Sequence, residues 1–155
     1  MRINAITAKI QQFLDENDLD YTVIVDYDFG YYYETSEIAY TLVLTERFDR
    51  LFNQFLEATY TDITAPIFIW SLLHEIGHGE TEDDIDIDLL NKYNTYKNNL
   101  DPQSDEDTLK YYLTPDEKIA TDWAYNYIKN NYNKLVKFWH ELYPMIEAYY
   151  EEKNH

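Results

Sequence analysis

The chain predicts an α+β fold: a mostly helical domain with a small antiparallel sheet of two or three strands packed on one apolar helix. Three observations predict it. Apolar residues recur at three- and four-residue spacing at both ends and in the middle of the chain. Two β-branched runs, and only two, stand between the first such segment and the second. A nearly unbroken apolar stretch, Ile67 to Leu73, leads into a pair of histidines four residues apart. At 155 residues and 45% hydrophobic composition, one core is affordable, and residues 1–155 are read as a single domain.

The elements follow in order. Residues 3–16 are helical, with Ile6, Ile10 and Phe13 on one face and Leu14 beside them. Tyr21–Val25 and Ile38–Thr45 are strands, the second the stronger. The link from Asp26 to Glu37 holds Gly30 and three consecutive tyrosines, and is a hairpin end or a short extra strand. Phe48, Leu51, Phe52, Phe55 and Leu56 stripe a helix over about 47–58. The next helix, about 65–79, has Thr61 or Thr64 as a cap and Pro66 in its first turn; Gly77 and Gly79 weaken its end.

An acidic insert, about 80–113, follows. It begins as a solvated face, continues as a helix over about 87–99, and has an exposed loop at Asp101–Asp107. Its carboxylates do not have EF-hand spacing. Thr114-Pro115-Asp116-Glu117 opens a helix running to about Asn130, with Thr114 as cap and Glu117 in the capping-box position. The last helix, about 133–151, contains Pro144, which should kink or split it.

The chemistry sits in His74-Glu75-Ile76-Gly77-His78, which reads H-E-x-x-H. Residues four apart share a helix face, so both imidazoles can reach one metal ion. Glu75, one step past the first histidine, can reach a water on that ion as general base. Such sites hold zinc with three protein ligands and keep one position for water. A histidine six past His78 is absent, since Asp84 stands there, and the remaining His140 and His155 are distant. The third ligand is therefore a carboxylate from a later helix. Glu117 is the choice, because small Ala120 one turn on lets its helix approach the motif helix, with Trp123 and Ala124 continuing the buried face. Asp122 is the alternative; Glu80 and Glu82 follow the motif too closely. A tyrosine, Tyr125 or Tyr127, could stabilise the oxyanion, and the strand around Tyr40 to Leu44 is either an edge that holds an extended substrate or a core strand.

Trp70-Ser-Leu-Leu-His-Glu-Ile-Gly-His78 resembles the motif helix of the ImmA/IrrE group of zinc-dependent metallopeptidases, of gluzincin type. Glu117-x-x-Ala120-x-x-Trp123-Ala124 is similar to their later ligand helix. The resemblance covers about residues 38–128, and its specific part is these two motifs. Thr121 stands where the group often has asparagine, and the insert of 80–113 is longer than the usual link. The resemblance implies a zincin-like fold, Zn²⁺ as cofactor, and cleavage of a protein substrate such as a phage or mobile-element regulator.

The net charge of −18 excludes a basic stripe for nucleic acid and favours basic protein partners. No apolar run is long enough for a membrane span, and the N-terminus lacks a signal-peptide pattern. With no cysteine, neither a disulfide nor a thiolate is available, and a cytoplasmic setting is the expectation. Two other classes compete with a peptidase. One is an acidic, DNA-mimic-like protein that masks a basic partner; the other is an inactive zincin-fold component of a phage. A mimic needs a regular double row of carboxylates, whereas here they cluster between residues 80 and 107.

Overall fold

The structure, a computed structural model, describes residues 2–154. The described residues form seven α-helices, a short 3₁₀ turn and one three-stranded sheet, a mostly helical α+β fold. Helix α1 (Arg2–Glu16) buries Ile6, Ile10, Phe13 and Leu14, the face its periodicity selects. Strands β1 (Thr22–Val25), β2 (Gly30–Tyr32) and β3 (Glu37–Tyr40) follow. Helix α2 (Glu46–Thr59) is capped by Thr45, whose Oγ1 accepts from the Phe48 N–H at 3.2 Å.

The sheet differs from expectation in one respect. Its order is β1-β3-β2, and it is mixed: β2 runs antiparallel to β3, but β1 runs parallel to it. The third strand, Ile38-Ala39-Tyr40, is wholly buried, so it takes the centre, where both flanks are covered. The less apolar strands take the edges. The chain reaches β2 through Asp26–Phe29, and β3 then slots in between. The expected strand of residues 38–45 is also shorter, because Thr41–Leu44 leaves the sheet and runs on to the cap of α2. Tyr40 is therefore a core residue, fully buried at the end of β3.

Helix α3 (Ile67–Thr81) is the motif helix. Phe68, Ile69, Trp70, Leu72, Leu73 and Ile76 are buried in it, so it is the spine of the core. Neither Thr61 nor Thr64 caps it. Pro66 is its N-cap residue, and Trp70 N–H closes the first turn on the Pro66 carbonyl at 3.1 Å. Helices α4 (Ile87–Asn98) and α5 (Asp105–Leu113) build the insert; α5 replaces the end of the expected loop and is capped by Ser104. Helix α6 (Pro115–Asn130) packs along α3 more extensively than any other pair of elements. Helix α7 (Tyr132–Lys153) closes over α1 and stays one helix through Pro144. Among the described residues, no helix is long and apolar enough to cross a membrane.

The α3–α6 contact depends on small residues. A Cβ at Gly77 would stand 2.4 Å from the Ala120 carbonyl oxygen, so only glycine lets the helices approach this closely. Gly79 instead faces the hydroxyl end of the Tyr21 side chain, which can shift where the Ala120 backbone cannot. The close approach brings the first turn of α6 opposite the last turns of α3.

Candidate metal centre

His74 and His78 lie one turn apart on the face of α3 that meets α6, as four-residue spacing dictates. Their ligand atoms and a carboxylate oxygen of Glu75 all fall within 4.8 Å of one another, a cluster that could hold a metal ion. Glu117 comes to the same point from α6. Its Oε1 is 3.0 Å from His74 Nε2 and 3.1 Å from His78 Nε2, and the two nitrogens are 3.1 Å apart. A four-coordinate ion with bonds of about 2.0–2.1 Å needs ligand atoms roughly 3.3 Å apart. The triangle of His74, His78 and Glu117 is thus close to the size of a zinc shell.

The proton inventory also fits a cation. Thr121 donates its one hydroxyl proton to the Glu117 carbonyl at 3.0 Å. Its Oγ1, 2.9 Å from His74 Nδ1, must then accept. In neutral His74 this assigns the ring proton to Nδ1 and leaves Nε2 a bare lone pair. That lone pair faces a carboxylate oxygen at 3.0 Å with no proton between them. Two acceptors this close call for a cation. Phe52 from α2 meets the His74 ring edge-on, with centroids 6.3 Å apart, and holds it in plane.

Electrostatics sharpen the division of roles. Burial would raise the Glu117 carboxyl, but the His74 and His78 imidazoles beside it pull it well below the usual carboxylate range, so it stays ionised. Burial pushes Glu75 upward, the direction that suits a group which must take up and give back a proton. For His78, burial opposes the charged form and Glu117 outweighs it, leaving the ring more basic than usual. A metal ion held here would therefore compete with a proton.

The cluster lies on the floor of a cleft of about 380 Å³. Phe29, Thr41, Leu44, Phe52, Tyr111 and Tyr112 line it. Helix α5 of the insert thus supplies a wall of the cleft. Sequence reasoning missed both tyrosines. Burial raises the Tyr111 phenol, and Glu117 and Glu75 raise it further, so it remains a neutral donor.

Other expected residues lie elsewhere. Asp122 Oδ1 accepts from Tyr60 at 2.7 Å and from Lys118 at 2.6 Å, away from the histidines. Glu82 accepts from Tyr31 at 2.8 Å beside the sheet, and Glu80 is exposed. Tyr125 donates to Asp62, and Tyr127 stacks on Trp123; neither lines the cleft. Glu117 does not act as a capping-box residue. Thr114 turns its hydroxyl back to the Lys110 carbonyl at 3.1 Å, which leaves the Glu117 side chain to face α3. Strand β3 is central, but its pairing with β2 ends at Ala39; Tyr40 pairs only with Val25 of β1, and Thr41–Leu44, proposed with it to hold substrate, lies outside the sheet. His140 is exposed on α7, and His155 lies outside the described residues.

Sequence also gave no hint of Lys97. This residue of α4 places its Nζ 2.7 Å from Glu117 Oε2 and 2.5 Å from Asp116 Oδ2. No family model, curated protein or solved structure matches this chain.

Proposed function

We propose that this chain is a zinc-dependent metallopeptidase that hydrolyses a peptide bond in a protein substrate. The observation that carries the reading is the meeting of His74 Nε2, His78 Nε2 and Glu117 Oε1 within 3.0–3.1 Å, beside Glu75 and at the base of an open cleft. His74, His78 and Glu117 would hold the ion. A bound divalent ion supplies Lewis acidity, lowering the pKa of a water from about 15.7 toward about 7 and polarising a carbonyl.

The chain's own residues do the rest. Glu75 accepts the proton of the attacking water and delivers it to the leaving amine; its raised pKa serves both directions. Thr121 fixes the His74 tautomer, and Phe52 fixes its ring. Tyr111, neutral and in the cleft wall, is the donor for the developing oxyanion, in place of Tyr125 or Tyr127. Apolar side chains of the cleft exclude bulk water from a bound segment. A regulatory protein of a phage or mobile element is the proposed substrate class; the two-motif resemblance supports it.

The direct test is Glu75→Gln. Zinc content should be unchanged while cleavage of a peptide library falls by about 10²–10⁴-fold. Equal cleavage by the variant would remove Glu75 from the mechanism.

A further inference from the structure

We propose that Lys97 is the positioning residue of the metal ligand Glu117, holding one carboxylate oxygen so that only the other faces the histidines. The inference rests on the reading of Glu117 as a ligand and concerns how its geometry is set. Oε1 meets the two imidazoles, and Oε2 meets Lys97 Nζ at 2.7 Å. Each oxygen of the carboxylate thus has its own partner. A carboxylate without the second partner can rotate and bind through both oxygens, filling the vertex that the attacking water needs.

Lys97 is placed for this and for little else. Helix α4 buries none of its residues, and it touches α6 at few points. Yet Lys97 sends its side chain inward until only 10% is exposed, against two carboxylates at 5% and 6%. A buried ion pair is a poor device for stability, since desolvation offsets most of its attraction. A purely structural pair would also need only one carboxylate. Asp116 explains the second. A lone ammonium this near a divalent ion would repel it, and Asp116 Oδ2, at 2.5 Å, neutralises that charge. Lys97 with Asp116 is net neutral, so the pair orients Glu117 without opposing the metal. The acidic insert acquires a role here: it carries the lysine that sets the ligand.

The test uses the full chain with Co²⁺ as probe. Lys97→Met alone would mix orientation with charge, because losing a cation favours metal binding. Lys97→Met combined with Asp116→Asn removes one charge of each sign, so the difference reports orientation. Relative to wild type, Co²⁺ affinity should fall by about 10–100-fold, the usual effect of losing a partner of a ligand. The visible Co²⁺ band should weaken as a four-coordinate site becomes five-coordinate. Lys97→Arg, in the native background, should keep both affinity and band. If the Met variant fails to fold, Lys97→Gln with Asp116→Asn removes the same charges and keeps an N–H donor. It should show a smaller loss in the same direction. A folded double variant with unchanged affinity and band overturns the proposal while leaving the metal site intact. A wild-type chain that binds no Co²⁺ overturns the metal reading beneath it and this inference with it.

Discussion

Gly77→Ala probes the geometry on which the site depends. The added Cβ would sit 2.4 Å from the Ala120 carbonyl oxygen, and 3.1 Å from its carbonyl carbon and Cα. Ordinary contact begins near 3.4 Å, and these are backbone atoms that cannot swing aside. Helices α3 and α6 must therefore part by about 1 Å. Gly77 lies between His74 and His78, and Ala120 is one turn past Glu117, so the separation falls on the triangle that these three residues form. Edges of 3.0–3.1 Å would open toward about 4 Å, more than the roughly 3.3 Å that a zinc shell spans. Overpacking costs about 1–3 kcal/mol. Alanine's better helix propensity returns about 1 kcal/mol. The metal-free variant should lose up to about 2 kcal/mol, and its zinc affinity should fall by more than about tenfold. Thermal melts in chelator and competition with a chromophoric zinc dye measure the two. A variant that gains the propensity term and binds zinc like wild type would show that the helices do not meet at Gly77.

Thr121→Val removes the acceptor that holds the His74 proton on Nδ1; zinc affinity should drop by about 10–100-fold with little change in the metal-free melt, and an unchanged affinity would refute the tautomer assignment. Metal removal should be legible in stability: zinc at 100 times its Kd adds about 2.7 kcal/mol, or roughly 5–10 °C in a chain of this size, and a melt indifferent to chelator contradicts a native-state site. Alkaline pH should unfold the protein through its buried and partly buried phenols. Burial pushes Tyr112 up to about 12 from 10.0, and Tyr21, Tyr31, Tyr60 and Tyr111 are raised for the same first reason. The folded state keeps these protons longer than the unfolded chain, so their contribution is complete below pH 10 and is lost as pH rises through about 12. Urea unfolding at stepped pH should show stability falling above pH 10, and a flat profile to pH 12 would refute the desolvation of these hydroxyls.

Local signals made most of the helices readable. The stripe of Phe48 to Leu56 and the Thr114-Pro115 start each depend on neighbours within one turn. Strand direction was not readable, because whether β1 pairs parallel or antiparallel is decided by which strand takes the buried centre. Helix α5 was obscured by the Asp-Pro-Gln-Ser run before it; the Ser104 cap, accepting from Asp107 N–H at 3.2 Å, was the signal available. His74, Glu75 and His78 were evident because helical spacing alone brings them together. Glu117 needed the extra step of asking which carboxylate sits near a small residue one turn on. Lys97, Tyr111 and Tyr112 left no trace, since the lysine reaches Glu117, and the tyrosines the cleft, only through packing of the insert, and a lone lysine on a polar helix has an ordinary solvated alternative.

X-ray absorption at the zinc K-edge, on protein loaded with one equivalent of zinc, tests the central claim most directly. The account expects four light-atom neighbours at about 2.0–2.1 Å with the scattering signature of two imidazoles, and loss of one imidazole in His78→Ala. A shell of oxygens only, or a spectrum unchanged by that substitution, would contradict it.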